Sequence, residues 1–296
     1  MSEESWTIRR LLAWTTEFLA KHRAESPRLE AEVLLAHARG SKRIDLYTAF
    51  DEEPPEAIRT AFRDLVKRRS QGIPVAYLVG EREFYSLPFQ VNPAVLIPRP
   101  ETEFVVLGLL EAAKAGGRRE AEFRIADVGT GSGILAVCAA KHLPRAHVTA
   151  IDISPAAMEV ARANATRHGV AERIEFLEGD LLSVVPAEPK FDFIVSNPPY
   201  VSEAEFAALE MGVREHEPRV ALVGGEKGTE IIARLIPQAA ERLVAGGCFF
   251  CEFSPMIAAE VRRLVEADGR FGPPRITKDL AGHARVIAAE RKPEAE

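Results

Sequence analysis

Only three cysteines occur in 296 residues, Cys138, Cys248 and Cys251, which is too few for a disulfide framework. No apolar run approaches the roughly 18–20 residues that cross a bilayer. The first residues, Met1 to Ser5, lack the basic-then-apolar order of an export signal. A soluble, cytoplasmic chain without membrane contact is expected. A basic surplus is also missing: 38 Lys and Arg face 44 Asp and Glu, a net charge of −6. Residues 1–90 carry 14 basic and 14 acidic side chains, so the acidic excess lies in the remainder. Proteins that grip a phosphate backbone show the opposite balance, and stable nucleic-acid binding is not expected. The basic run Lys67-Arg68-Arg69 suits a solvated helix end and its dipole. Metal chemistry lacks ligands, because the seven histidines show no ligand spacing. Cys248 and Cys251 sit three apart on an expected strand and so face opposite ways. No Ser/His/Asp order suggests hydrolysis, and there are no repeats or low-complexity tracts.

What is present is ordinary globular material, 47% apolar and 28% charged, enough to bury a substantial core. The first 80 or so residues read as a small helical bundle. Ile8, Leu11, Leu12, Phe18 and Leu19 fall near helical spacing; Ser26-Pro27 opens a second helix that Gly40 closes. Pro54-Pro55-Glu56 opens another, which runs to Arg69. From Glu83 the texture changes. Phe84, Tyr85, Leu87, Phe89 and Val91 suggest extended chain or a hairpin, with prolines at 88, 93, 98 and 100. We expect a helical domain over 1–80, a hairpin and connector over 81–100, and a larger domain over 101–296.

The larger part alternates strand and helix. Strands are expected at 123–128, 147–151, 174–177, 191–196 and 247–253, with helices at 104–115, 134–142, 155–169, 227–244 and 255–267. Two further strands, 275–279 and 284–289, are joined by Ala281-Gly282 as a hairpin. The pattern predicts an α/β fold with a doubly wound, mostly parallel seven-stranded sheet and one antiparallel strand.

The chemistry is expected at the carboxyl ends of those strands. Gly129-Thr130-Gly131-Ser132-Gly133 joins the first parallel strand to its helix, where glycines let backbone approach a ligand. A dinucleotide fingerprint would need Gly or Ala at 134, where Ile134 stands, and no Gly-Lys-Ser/Thr makes a P-loop. G-x-G-x-G suits enzymes that use S-adenosylmethionine. Asp152 ends the second strand, where a carboxylate can accept both hydroxyls of a ribose; the alternative role, capping a helix, is better filled by Ser154. Asp180 either lies near the adenine or is a plain loop acid.

Asn197-Pro198-Pro199-Tyr200 follows the fourth strand, beside the glycine loop. An amino group on an sp² carbon is a weak nucleophile because its lone pair is delocalised. Two acceptors aimed at its hydrogens, Asn197 Oδ1 and the Pro198 carbonyl, would orient it and favour positive charge developing on nitrogen. The prolines hold the loop extended, and Tyr200 can stack on a planar group. Adenine N6, cytosine N4, guanine N2 and a glutamine amide share this geometry, and the tetrad does not choose among them. Arg99, Glu101 and Glu103 either line the mouth of the site or cap the helix that starts at Pro100. Gly224-Gly225-Glu226-Lys227-Gly228 reads as a turn before a helix.

With these motifs in order, the chain resembles class I methyltransferases, and more narrowly the HemK/PrmC family of peptide chain release factor N5-glutamine methyltransferases. The resemblance extends through Gly80–Leu87, Leu96–Glu103, Val213–Pro218 with Ala221-Leu222, and Lys278–Gly282. It implies that the helical domain helps dock a class-1 release factor and that the larger domain methylates the glutamine of its Gly-Gly-Gln tripeptide. It also implies cofactor contact by Gly129–Gly133, Asp152, Asp180, Leu181 and Asn197, and a substrate clamp at Asn197, Pro198, Pro199 and Tyr200, with Asn197, Pro198 and Tyr200 catalytic. Some members carry a large aromatic residue after the acid at 180, where this chain has Leu181. A glutamine methyltransferase of a ribosomal large-subunit protein shares the tetrad, and a base-modifying enzyme that flips its target onto Tyr200 is a third reading.

Overall fold

Ile8, Leu11, Leu12, Thr15 and Leu19 recur every third or fourth residue, which gives α1 (Ile8–Lys21) one buried face. The computed structural model describes residues 5–22, 24–115 and 121–293, so all but Ser5 of the N-terminal segment read above lies outside the described residues. The expected domain limits at 1 and 296 lie outside them as well. Four more helices, α2 (Pro27–Arg39), α3 (Arg43–Thr48), α4 (Glu56–Ser70) and α5 (Val75–Val79), pack with α1 around Leu12, Leu34, Leu35, Leu46 and Phe62. Ser26 stands at the N-cap of α2, but its backbone is not extended there and its hydroxyl makes no capping bond; Pro27 and the left-handed Gly40 delimit the helix. Residues up to Gly80, together with Met211–His216, form one compact unit; Glu81–Glu210 with Glu217 onward form the other.

The second unit opens with the hairpin β1 (Glu81–Phe84) and β2 (Leu87–Gln90), turned by Tyr85 and Ser86 at φ 50° and 59°. One 3-10 turn, Pro100–Thr102, precedes α6 (Glu103–Lys114), so the helix begins later than Pro100 suggested. There follow β3 (Arg124–Val128), α7 (Ile134–His142), β4 (His147–Asp152), α8 (Pro155–Arg167), β5 (Ile174–Glu178) and β6 (Phe191–Ser196). Five short elements come next: β7 (Val201–Ser202), α9 (Glu203–Ala208), α10 (Met211–His216), α11 (Arg219–Leu222) and β8 (Val223–Gly225). The chain closes with α12 (Glu230–Arg242), β9 (Leu243–Glu252), α13 (Ala258–Asp268), β10 (Arg275–Lys278) and β11 (Ala284–Glu290).

The main sheet has seven strands in the order β10-β11-β9-β6-β3-β4-β5. The pairs among β3, β4, β5, β6 and β9 are parallel, and β11 runs antiparallel to both its neighbours, as the strand–helix alternation and the terminal hairpin predict. Side chains alternate into two cores: Ile125, Val148, Phe193 and Phe250 meet α6 and α7, while Ala126, Ile151, Ile194 and Phe249 meet α12 and α13. Cys248 belongs to the first core and Cys251 to the second, on opposite faces of β9. Two boundaries differ from expectation. Helix α12 starts at Glu230 rather than at 227, because Gly228 takes φ +79° and Glu230 accepts from the N–H groups of Lys227 and Thr229. Strand β9 starts at Leu243 rather than at 247; between its pairings with Phe191 and Phe193 it carries three more residues than β6, an irregularity that takes in Gly246-Gly247. Among the described residues, no helix is long and apolar enough to cross a membrane.

Candidate active site

The chain passes from β3 outward to β4 and β5, then returns to place β6 on the other side of β3. That reversal opens a crevice at the carboxyl ends of β3 and β6. Because Val128 pairs with Ser196, the glycine loop and the Asn197 tetrad leave the sheet as neighbours. The Ser196 hydroxyl fastens them further by donating to the Val128 carbonyl at 2.7 Å.

Gly129, Gly131 and Gly133 have φ of +73°, +54° and +82°, a backbone path that side chains resist. The N–H groups of Gly129 and Thr130 both donate to the Ile151 carbonyl, at 2.8 and 2.9 Å, folding the loop over the end of β4. Asp152 Oδ2 accepts from Gly131 N at 2.8 Å and Oδ1 from Ser154 N at 2.9 Å. Burial pushes the Asp152 carboxyl above its usual range against those two bonds. Beneath the loop, Asp127 is fully buried and accepts from the Thr130 hydroxyl (2.6 Å) and Ala136 N (3.0 Å). Burial raises its carboxyl to about 7, and its Oδ1 has no hydrogen-bond partner among the described residues.

A cavity of about 240 Å³ lies at this end of the sheet. Gly129, Thr130, Gly131, Ser132, Asp152, Asp180, Leu181, Asn197 and Pro199 border it, together with Arg99 from the connector. Gly133, Pro198 and Tyr200 are outside its wall. Asp180 is ion-paired to Arg234 of α12, and Leu181 takes a left-handed φ of +54°, with Leu182 N held by Gln238 at 2.9 Å.

In the tetrad, Asn197 Nδ2 donates to the Thr102 hydroxyl at 3.0 Å, while Asn197 Oδ1 is buried with no hydrogen-bond partner among the described residues. Tyr200 turns its hydroxyl away from the cavity and donates to Glu252 Oε1 at 3.0 Å. Burial, then the Glu252 charge, pushes that phenol well above its ordinary value. The segment 224–228, expected as a plain turn, is a support for the tetrad. Its Val223–Gly225 strand pairs with Val201–Ser202 directly after Tyr200. A Cβ on Gly224 would strike the Pro199 carbonyl, and one on Gly228 the Tyr200 carbonyl.

Of the three charged connector residues, only Arg99 borders the cavity. It pairs at 2.6 Å with the buried Glu217, whose other oxygen accepts from Ile97 N at 3.1 Å. Glu101 lies 3.8 Å from Arg285, and Glu103 accepts from Tyr85 N at 3.0 Å, which ties down the hairpin. Sequence reasoning missed Thr102, Glu217 and Glu252. The available signal for Glu252 was an acid at the carboxyl end of a central strand, where the chain is otherwise Phe and Cys.

The donors present fit S-adenosylmethionine, a cationic molecule with an amine and a ribose. Glycine backbone allows close approach, Asp152 can accept ribose hydroxyls, and Asn197, at the cavity wall, keeps a buried Oδ1 with no hydrogen-bond partner among the described residues.

Comparison with known proteins agrees with this architecture in both units. The PrmC N-terminal domain model matches residues 10–80, and the Methyltransferase small domain model matches 109–213. A release factor glutamine methyltransferase of Rhodopirellula baltica is 47% identical over 98% of this chain and 98% of that relative. One of Chlorobaculum tepidum is 45% identical over 89% and 90%. Among solved structures, a methyltransferase from Pyrococcus furiosus shares the fold, with a TM-score of 0.52, 17% identity and coverage of 78% and 98%. With near-half identity sustained along the full length of its relatives, the chain belongs to the release factor glutamine methyltransferase family.

Proposed function

We propose that the chain transfers a methyl group from S-adenosylmethionine to the side-chain amide nitrogen (N5) of a glutamine in class-1 peptide chain release factors, the glutamine of their Gly-Gly-Gln tripeptide. The observation that carries the reading is the state of Asn197. It leaves the sheet beside the glycine loop with its amide N–H committed to Thr102 and its Oδ1 unpartnered. The choice of a release factor rests on the relatives named above.

S-adenosylmethionine supplies a methyl on a positively charged sulfur. The chain's part is to hold and orient. Gly129, Thr130, Gly131 and Ser132 present backbone to the donor while Gly133 packs closely on Ala161 of α8; Asp152 takes its ribose, and Asp180 and Leu181 flank its base. Asn197 Oδ1 and the Pro198 carbonyl accept the two amide hydrogens, which turns the nitrogen lone pair toward the methyl and stabilises charge growing there. Pro199 keeps the loop extended, and the Tyr200 ring offers a face to the planar amide. As the nitrogen takes the methyl, the S–C bond breaks to leave neutral S-adenosylhomocysteine, and the cationic amide nitrogen so formed is acidic enough to give one N–H proton to water, so no strong base is required. The helical unit takes part in docking the release factor. The enzyme works in the cytoplasm, without stable nucleic-acid binding.

A competition assay tests the substrate. An unmethylated release factor, ribosomal large-subunit proteins and total RNA share one pool of labelled S-adenosylmethionine. Label is expected on the release factor. Preferential labelling of a ribosomal protein or of RNA overturns the reading.

A further inference from the structure

S-adenosylmethionine carries a sulfonium, an amine and one anionic group, the α-carboxylate of its methionine end. Backbone N–H groups where a glycine loop enters a helix are a natural seat for such an anion. This loop has spent most of them inside the protein. Gly129 N and Thr130 N donate to the Ile151 carbonyl, Gly131 N to Asp152, and Gly133 N to the Thr130 carbonyl. In the first turn of α7, Ala136 N donates to Asp127, so one carboxyl already faces that helix start. A second carboxylate there would meet the first, and the anion needs a cation from another part of the wall.

Two Arg or Lys side chains border the cavity among the described residues, Arg99 and Arg234, and they stand at opposite ends of the strand order. Arg234 is ion-paired to Asp180, which follows β5. Arg99 directly precedes the 3-10 turn whose Thr102 accepts from Asn197, and Asn197 follows β6. In the sheet, β3 and β4 lie between β6 and β5. With the base beside Asp180 and the ribose at Asp152, the sulfur comes to the β6 side to reach Asn197. The methionine end leaves from the sulfur, on the side where Arg99 stands.

Arg99 is not there as a cap. Its side chain makes no capping bond, and a helix start disfavours a cation. Its Nη2 donates to Glu217 Oε1 at 2.6 Å, and the rest of the guanidinium has no hydrogen-bond partner among the described residues. The Arg99 side chain is 32% exposed and that of Glu217 1%. Glu217 Oε2 accepts from Ile97 N at 3.1 Å, so the acid is itself held and holds the guanidinium in turn. With five donors in one plane, an arginine can serve two carboxylates at once.

We propose that Arg99 is the carboxylate site of the cofactor: fixed by Glu217 on one edge, its free N–H groups take the α-carboxylate of S-adenosylmethionine and anchor the end of the donor that Asp152 does not reach. The inference rests on S-adenosylmethionine as the donor and on the placement of its ribose and sulfur given above. It does not depend on which amide is methylated.

Calorimetry with two probes tests this. S-adenosylhomocysteine keeps the amino-acid end, and 5′-methylthioadenosine lacks it. Arg99→Gln should weaken S-adenosylhomocysteine by about tenfold or more, and leave 5′-methylthioadenosine within about twofold of wild type. Arg99→Lys, which keeps the charge and loses the fork, should lose only part of that affinity. Because Arg99→Gln leaves the buried Glu217 charge without its partner, the double variant Arg99→Gln with Glu217→Gln is measured beside it, with thermal unfolding for both. Two neutral amides avoid the unpaired charge, and the loss should be just as selective. Equal losses for the two probes in the double variant, or no loss for either, overturn the proposal. So does an Arg99→Gln enzyme whose one defect is a raised KM for the release factor. Wild-type affinity for S-adenosylhomocysteine tests the donor by itself, so a failure there is told apart from a failure of the Arg99 assignment.

Discussion

Asn197 illustrates how little chemistry a residue must perform when its surroundings hold it still. Its backbone is restricted by Pro198, its N–H is taken by Thr102 at 3.0 Å, and the strand beneath it is pinned to β3. What remains is one acceptor oxygen in a fixed place, which is the requirement for orienting an amide nitrogen. Replacing Asn197 by alanine should leave S-adenosylmethionine affinity within a few-fold, as read by calorimetry, because Asp152 and the glycine backbone are untouched. Turnover should fall by about 10² or more, the usual effect of deleting one preorganised polar group. A variant with near-normal turnover contradicts the role given to this side chain.

At the scale of elements, the site depends on junctions between segments far apart in sequence. Asn164, buried on α8, shows this best. Its Oδ1 accepts from Gln90 N at 2.7 Å, and its Nδ2 donates to the carbonyls of Gln90 at 3.0 Å and Ser132 at 2.8 Å. One side chain thus joins the β1–β2 hairpin, the glycine loop and a core helix. Asn164→Ala leaves three backbone groups short of partners and should cost at least about 2 kcal/mol in urea unfolding. A loss below about 0.5 kcal/mol would show that water replaces those bonds without penalty. Junctions of this kind explain what the sequence conceals. The long periodic elements and the glycine loop are legible because their signals are local. The pairing of Glu217 with Arg99, the reach of Thr102 to Asn197, and the placement of Glu252 depend on tertiary register, for which no local pattern exists. The short pieces α9, α10, α11, β7 and β8 escape for another reason, since two to six residues are too few for a hydrophobic period to be recognised. The 224–228 segment reads as a turn because glycine marks both turns and close backbone contacts, and only the contacts with Pro199 and Tyr200 separate the two.

At the scale of the whole molecule, the charge balance and the fold point the same way. A net charge of −6, with basic and acidic side chains balanced at 14 each over residues 1–90, leaves little long-range attraction for a nucleic acid, and the crevice at the carboxyl ends of β3 and β6 lies beside the Asn197 loop, to which we assign the amide. The most direct test is methyl transfer from labelled S-adenosylmethionine to an unmethylated class-1 release factor, beside a copy in which the Gly-Gly-Gln glutamine is replaced by alanine. The account predicts label on the first, located at that glutamine by peptide mass spectrometry, and none on the second. Equal label on both, or on neither, would contradict it.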